Sequence, residues 1–234
     1  MNNDYLNLDL ELGATLSKSL VASVNHLCDR AEDAGANGVV LITLRCVPGA
    51  AREPVQVSLV NQWERALRRL ERLPLLTLAA VDGVCNGLGL ALLLATDYRV
   101  VTQRLRLSLA LDGQEILPGM VLHRLATQIG AAHARRMALF GTELDAQAAL
   151  EYGLADAVSG EPAASAARFA ASLGASLLNG LPVRRRLVLE AAAVSYEDSL
   201  GTYLAACDRM LRAGAARTAP PQPDASSEAV AIAA

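Results

Sequence analysis

The stretch Leu76–Gly89, LTLAAVDGVCNGLG, followed by LALLLATDYRVV, constrains the fold more than any other part of the chain. Leu75–Val81, apolar except for Thr77, reads as a buried strand, the pattern of a strand covered on both faces in a parallel sheet. Asp82-Gly83 ends it, Asn86-Gly87-Leu88-Gly89 reads as a Gly-rich turn, and Leu90–Ala95 as the apolar helix that the turn opens. This order places free backbone N–H groups, and the positive end of a helix dipole, at the end of a buried strand. Such a corner suits an anion, or an oxygen that becomes one during a reaction.

The flanking sequence continues an α/β pattern. Tyr5, Leu6, Leu8, Leu10 and Leu12 mark a first strand. Thr15–Ala34 has helical spacing (Leu16, Leu20, Val24, Leu27, Ala31) and stops at Gly35, and Val39–Leu44 is a second buried strand. After a loop over Arg45–Pro54, Val55–Leu73 is a helix with Leu59, Trp63, Leu67 and Leu70 on one face and Arg/Glu on the other. Tyr98–Thr102 and Leu105–Leu109 read as short strands, and Met120–Ile129 and Ala132–Phe140 as helices. Asp145 is placed to cap a helix over Ala146–Tyr152 that stops at Gly153, with a strand at Leu154–Val158. Beyond Pro162 the pattern is helical: Ala163–Leu178, Val183–Ala193 and Tyr196–Ala213. The Pro-, Ala- and Ser-rich remainder has a disordered composition. The expected organisation is an α/β core over residues 1–160, a helical segment over 161–213, and a tail over 214–234.

Composition narrows the function classes. A net charge of −3 provides no basic field for nucleic acid. The four cysteines, Cys28, Cys46, Cys85 and Cys207, show neither zinc-ligand nor CxxC spacing. They are expected to be buried free thiols in a reducing cytoplasm. MNNDYLNLDLEL lacks a basic region followed by an apolar run, so no signal peptide is expected. Asp82, Asn86 and the glycines interrupt Leu73–Ala95, so no membrane span is expected there.

Between Leu76 and Val158 a set of motifs falls in order: LAAVDG, NGLG, Asp97, LPGM at Leu117–Met120, and ALFGTELDAQAALEYGLADAV. Together they resemble the crotonase (enoyl-CoA hydratase/isomerase) superfamily, where the counterparts are AAVNG, a triple glycine, a "CD" aspartate, I-P-G, and an L-T-G…A…A…G-L-V block. The resemblance implies a crotonase-like ββα spiral core with a helical C-terminal segment, acting on an acyl-CoA thioester as substrate with no other cofactor and no metal. It also implies a homo-oligomer, a trimer or hexamer, with the C-terminal helices packing between subunits. VSLVNQWERALRRLERLP, LLATDYRV and LPGMVLHRLA are most similar to the DpgB type. That similarity implies dehydration and aromatisation of a polyketide-CoA to 3,5-dihydroxyphenylacetyl-CoA beside a type III polyketide synthase and crotonase paralogues, supplying dihydroxyphenylglycine for antibiotic biosynthesis. The alternative is a non-catalytic crotonase-fold partner of the synthase or of an active paralogue.

Carried over residue by residue, the resemblance implies that the Leu88 backbone N–H, at the middle glycine's position, is one donor of the family's oxyanion hole. The second donor comes from the loop RCVPGAAREPV, where Gly49, Ala50 and Ala51 are the alternatives and Arg45 and Arg52 are candidate phosphate contacts. The hydratases' two acid–base glutamates are replaced by Ala91 and Leu111. Asp112 and Glu115, in DGQE, are the acidic residues nearest the second position and the candidate catalytic carboxylates, with His123 a candidate proton shuttle. Gly87, Gly89, Cys85, Ala91, Leu111, Pro118 and Gly119 are expected to line the substrate. Arg184-Arg185-Arg186 is either a solvated helix start or a contact to a neighbour's CoA phosphates.

Overall fold

The computed structural model describes residues 5–12, 15–35, 38–46, 55–109 and 119–218. Four parallel strands, the first with alternating apolar residues and the others largely apolar, are joined by helices: β1 (Tyr5–Leu12), α1 (Lys18–Asp33), β2 (Val39–Cys46), α2 (Val57–Leu70), β3 (Leu76–Val81) and, after an excursion, β5 (Tyr98–Val101). With β8 (Ala157–Val158) they form a five-stranded sheet ordered β1-β2-β3-β5-β8. All its pairings are parallel, with Val39 opposite Leu76 and Leu78 opposite Tyr98.

Period-two alternation divides the apolar side chains between two cores. Val40, Ile42, Leu44, Ala79 and Val81 join the larger one with α1 and α2, whereas Val39, Leu41, Leu76, Leu78 and Ala80 face the other with α6 (Pro162–Ser172). Helix α1 starts at Ser17, whose hydroxyl accepts from the Leu20 N–H at 3.1 Å, and it buries Val21, Val24, Leu27, Cys28 and Ala31. Burial raises the Cys28 thiol to about 11, against the opposing pull of Arg69. That arginine ties α2 to α1 through Glu32, at 2.7 and 2.6 Å, and Asp29, at 2.7 Å.

A second, three-stranded sheet contains one strand that the sequence pattern marked, β6 (Arg106–Ser108), and two that it did not, β4 (Val84–Asn86) and β7 (Leu144–Asp145), both too short to display a period. Other expectations shift. Leu105–Leu109 narrows to β6, and Leu154–Val158 narrows to β8 because the Leu154 and Ala155 N–H groups turn back to Ala149 O, at 2.8 and 3.0 Å. The helix expected over Ala163–Leu178 divides at Leu173-Gly174 into α6 and α7 (Ala175–Asn179). Two helices expected on either side of Gly130 are present as α4 (Val121–Phe140), broken at Gly130, whose φ of 78° and ψ of 156° suit only glycine.

The cap at Asp145 is as expected, its carboxylate accepting from Ala148 N at 2.8 Å at the start of α5 (Ala146–Glu151). Asp145→Ala is expected to cost about 1 kcal/mol, read as a lowered urea midpoint at unchanged m-value.

The chain divides into two compact units, Met1–Arg186 and Leu187–Ala234. Helix α8 runs over Leu181–Ala191 and α9 over Tyr196–Thr218, so the last helix continues past Ala213. Its Ala-rich end has high helix propensity. Ser195 caps it, accepting from Asp198 N at 3.2 Å, and the Tyr203 hydroxyl donates to Leu187 O at 3.1 Å. No described helix is long and apolar enough to cross a membrane. Cys85 and Cys28 are buried as expected, but Cys207 is exposed.

Candidate active site

The Gly-rich segment after β4 belongs to the helix it was expected to precede. Helix α3 spans Gly87–Leu94, so Gly87, Leu88 and Gly89 form its first turn. Gly87 enters at a φ of +42°, the left-handed region that glycine tolerates. A helix leaves its first four amide N–H groups without an intrahelical acceptor. In α3 these belong to Gly87, Leu88, Gly89 and Leu90, and the preceding Asn86 makes no side-chain capping bond to them. The Leu88 side chain is buried, so its backbone, rather than its bulk, forms the helix end.

The other end of α3 is held by two side chains that the sequence pattern did not mark. Arg99, on β5, donates to Leu94 O at 3.3 Å and Thr96 O at 3.1 Å, and Gln128, on α4, donates to Leu94 O at 2.8 Å. Arg99 and Gln128 are themselves joined at 2.8 Å. Burial lowers the Arg99 pKa, opposed by Asp156 and Asp97. A cation at the C-terminal carbonyls complements the helix dipole and fixes the direction in which the N-terminal donors point.

Gly119 sits against α2. A Cβ there would come within 2.7 Å of Glu64 Oε1, the same oxygen that accepts from Met120 N at 2.9 Å. Glu64 Oε2 takes Arg124 Nη1 at 2.7 Å, and Arg124 Nε reaches Glu71 Oε1 at 2.6 Å. Glu64 on the Arg/Glu face of α2, and Glu71 at its C-cap, thus belong to an inter-helix cluster. Burial opposes the charge on Arg124, but Glu71 and Glu64 outweigh it and raise its pKa.

The remaining candidates fall as follows. Ala91 is buried in the core on α3, and the Cys85 side chain is fully buried in that core with no accessible surface. Leu111, Asp112, Glu115 and Pro118, and also Gly49, Ala50, Ala51 and Arg52, lie outside the described residues. His123 is exposed. Arg45 is an exposed strand residue 3.8 Å from Glu11. In the arginine run, Arg185 is neither solvated nor free for a neighbour. It donates to Asp97 Oδ1 at 2.6 Å, to Asp97 Oδ2, to Leu75 O at 2.7 Å and to Leu73 O. Asp97 also accepts from the Thr77 N–H and hydroxyl, each at 2.8 Å, so it locks the starts of β3 and β5 together.

The family model for enoyl-CoA hydratase/isomerase matches residues 49–219. A relative from Amycolatopsis orientalis, described as an enoyl-CoA-hydratase, is 43% identical over 213 residues, covering 90% of this chain and 97% of that one. The chain belongs to the enoyl-CoA hydratase/isomerase family. An enoyl-CoA hydratase structure from Bacillus anthracis is similar with a TM-score of 0.73 at 25% identity, over 88% of this chain and 86% of that one. One from Shewanella pealeana reaches 0.73 at 17% identity over 89% and 87%, and bears on the fold alone. The α/β core and helical C-terminal segment are those of the crotonase fold, and an acyl-CoA thioester is consistent with the family. Within this enoyl-CoA hydratase/isomerase member, α3 and its first-turn donors occupy the position that the sequence motifs assign to the triple glycine.

Proposed function

We propose that this protein assists the dehydration and aromatisation of a polyketide-CoA to 3,5-dihydroxyphenylacetyl-CoA, in the cytoplasm beside a type III polyketide synthase, as a step toward a dihydroxyphenylglycine antibiotic precursor. One observation carries the proposal. Helix α3 retains its N-terminal donors, while Ala91, which the motif resemblance aligns with an acid–base glutamate of the hydratases, is buried in the core. A positioned acid or base contributes about 10²–10⁴-fold, so hydration of an unactivated enoyl thioester is expected to be slow. A poly-oxo thioester demands less. Its α-protons are flanked by carbonyls, and loss of water ends in an aromatic ring. Oxyanion stabilisation by the Leu88 N–H and confinement of the chain then supply the catalysis. The exposed Tyr196, Leu200, Tyr203, Leu204 and Leu211 of α9 support assembly as a homo-oligomer, a trimer or hexamer, through the helical segment.

The test follows product from malonyl-CoA in a reconstituted synthase reaction with and without this protein, alongside hydration of crotonyl-CoA. The expected result is a rise in dihydroxyphenylacetate with crotonyl-CoA turnover at least about 10²-fold below that of a glutamate-bearing hydratase. Efficient crotonyl-CoA hydration without effect on the synthase product would overturn the proposal.

A further inference from the structure

Among the described residues, three buried side-chain nitrogens have no hydrogen-bond partner: Asn86 Nδ2, Arg99 Nε and His133 Nδ1. Arg99 belongs to the C-terminal end of α3, and the His133 ring packs on Tyr152 with centroids 3.9 Å apart. Asn86 is different, because it is the residue from which the first turn of α3 springs.

An asparagine at a helix N-cap ordinarily accepts from the N–H two or three residues on. Asn86 has the extended backbone of a cap, with φ −139° and ψ 168°, yet makes no such bond. The residue is only 9% exposed, and its Nδ2 is withdrawn from bulk solvent. The backbone N–H groups of Leu88 and Gly89, which an accepting cap would have covered, thus have no side-chain cap, and the capping residue itself carries a buried donor without a partner. A buried donor without an acceptor costs free energy that a hydrocarbon side chain would not. Several donors with no acceptor at one helix end call for a ligand that brings oxygens.

We propose that the Asn86 side-chain amide donates a hydrogen bond to an oxygen on the acyl chain of the bound CoA thioester, separate from the thioester carbonyl taken by the Leu88 N–H. Asn86 is then a specificity-determining residue that selects 3-oxoacyl over hydrocarbon acyl groups. A saturated chain has no acceptor to offer and leaves the amide unpaired. The inference rests on the CoA-thioester function proposed above and specifies the acyl class.

The test is calorimetric titration of free CoA, butyryl-CoA and acetoacetyl-CoA into the wild type, Asn86→Leu and Asn86→Ala, each checked for folding by circular dichroism. The wild type is expected to prefer acetoacetyl-CoA to butyryl-CoA. Both variants should weaken acetoacetyl-CoA by roughly 2–13-fold, the worth of one hydrogen bond, and leave butyryl-CoA and free CoA unchanged or slightly tighter. Asn86→Ala keeps the test open if the larger leucine prevents folding. Equal weakening of both thioesters, or no change in either, overturns the Asn86 role while the CoA function stands. Failure of the wild type to bind any of the thioesters overturns both.

Discussion

Arg124→Met is expected to lower the unfolding free energy by about 3–5 kcal/mol, the usual result of removing one partner from a buried ion cluster. The Arg124 side chain is 8% exposed and Glu71 7%. Methionine fills much of the volume but leaves Glu71 and Glu64 facing apolar surroundings without their counter-ion. The partial replacement is Arg68, which contacts Glu71 at 3.1 Å and is itself half exposed. Urea denaturation at pH 7 measures the loss. Replacing Arg124, Glu64 and Glu71 together by apolar residues of similar volume should recover most of the stability, since the intact cluster is offset by its own desolvation. A loss below about 1 kcal/mol for Arg124→Met would show the cluster to be solvated, as an ordinary surface pair is.

That cluster also marks where sequence legibility ended. Periodicity located α1 and α2 because their apolar residues recur at helical spacing, and β2 and β3 because Val39–Leu44 and Leu75–Val81 are apolar runs broken only by Thr43 and Thr77. Local chemistry located the break at Gly130 and the cap at Asp145, since both depend on residues adjacent in sequence. Strands β4 and β7 were invisible, because VCN and LD are too short to carry a period. Glu64, Glu71 and Arg185 resemble solvated charges in one dimension. They are removed from solvent by partners far along the chain, Arg124 and Asp97, and no local pattern encodes such pairings. The candidate site divides in the same way. The Gly87–Gly89 corner was legible as a source of N–H donors, although those residues form the helix's first turn rather than a turn before it. Asn86 lay within the motif, but its lack of a capping bond is visible only in three dimensions.

Leu88→Pro is expected to reduce dihydroxyphenylacetate output in the reconstituted synthase reaction by about 10²–10³-fold, the cost of losing one oxyanion-hole donor. The substitution isolates the N–H unusually well at this position. Leu88 lies in the first turn of α3, so proline removes no intrahelical hydrogen bond, and its fixed φ matches the helix. Gly87, just before it, lacks the Cβ that a following proline ring would crowd. The confounding loss is packing, because Leu88 is a buried core residue. Leu88→Ala controls for it by removing most of the same contacts, at about 2–5 kcal/mol, while keeping the N–H. With rates normalised to folded protein, Leu88→Ala should retain most of the stimulation and Leu88→Pro should lose it. Equal retention by both variants would mean that the protein raises synthase output as a partner, without using the end of α3. Equal loss would attribute the effect to the leucine's packing rather than to its N–H, and would remove the oxyanion role from this turn.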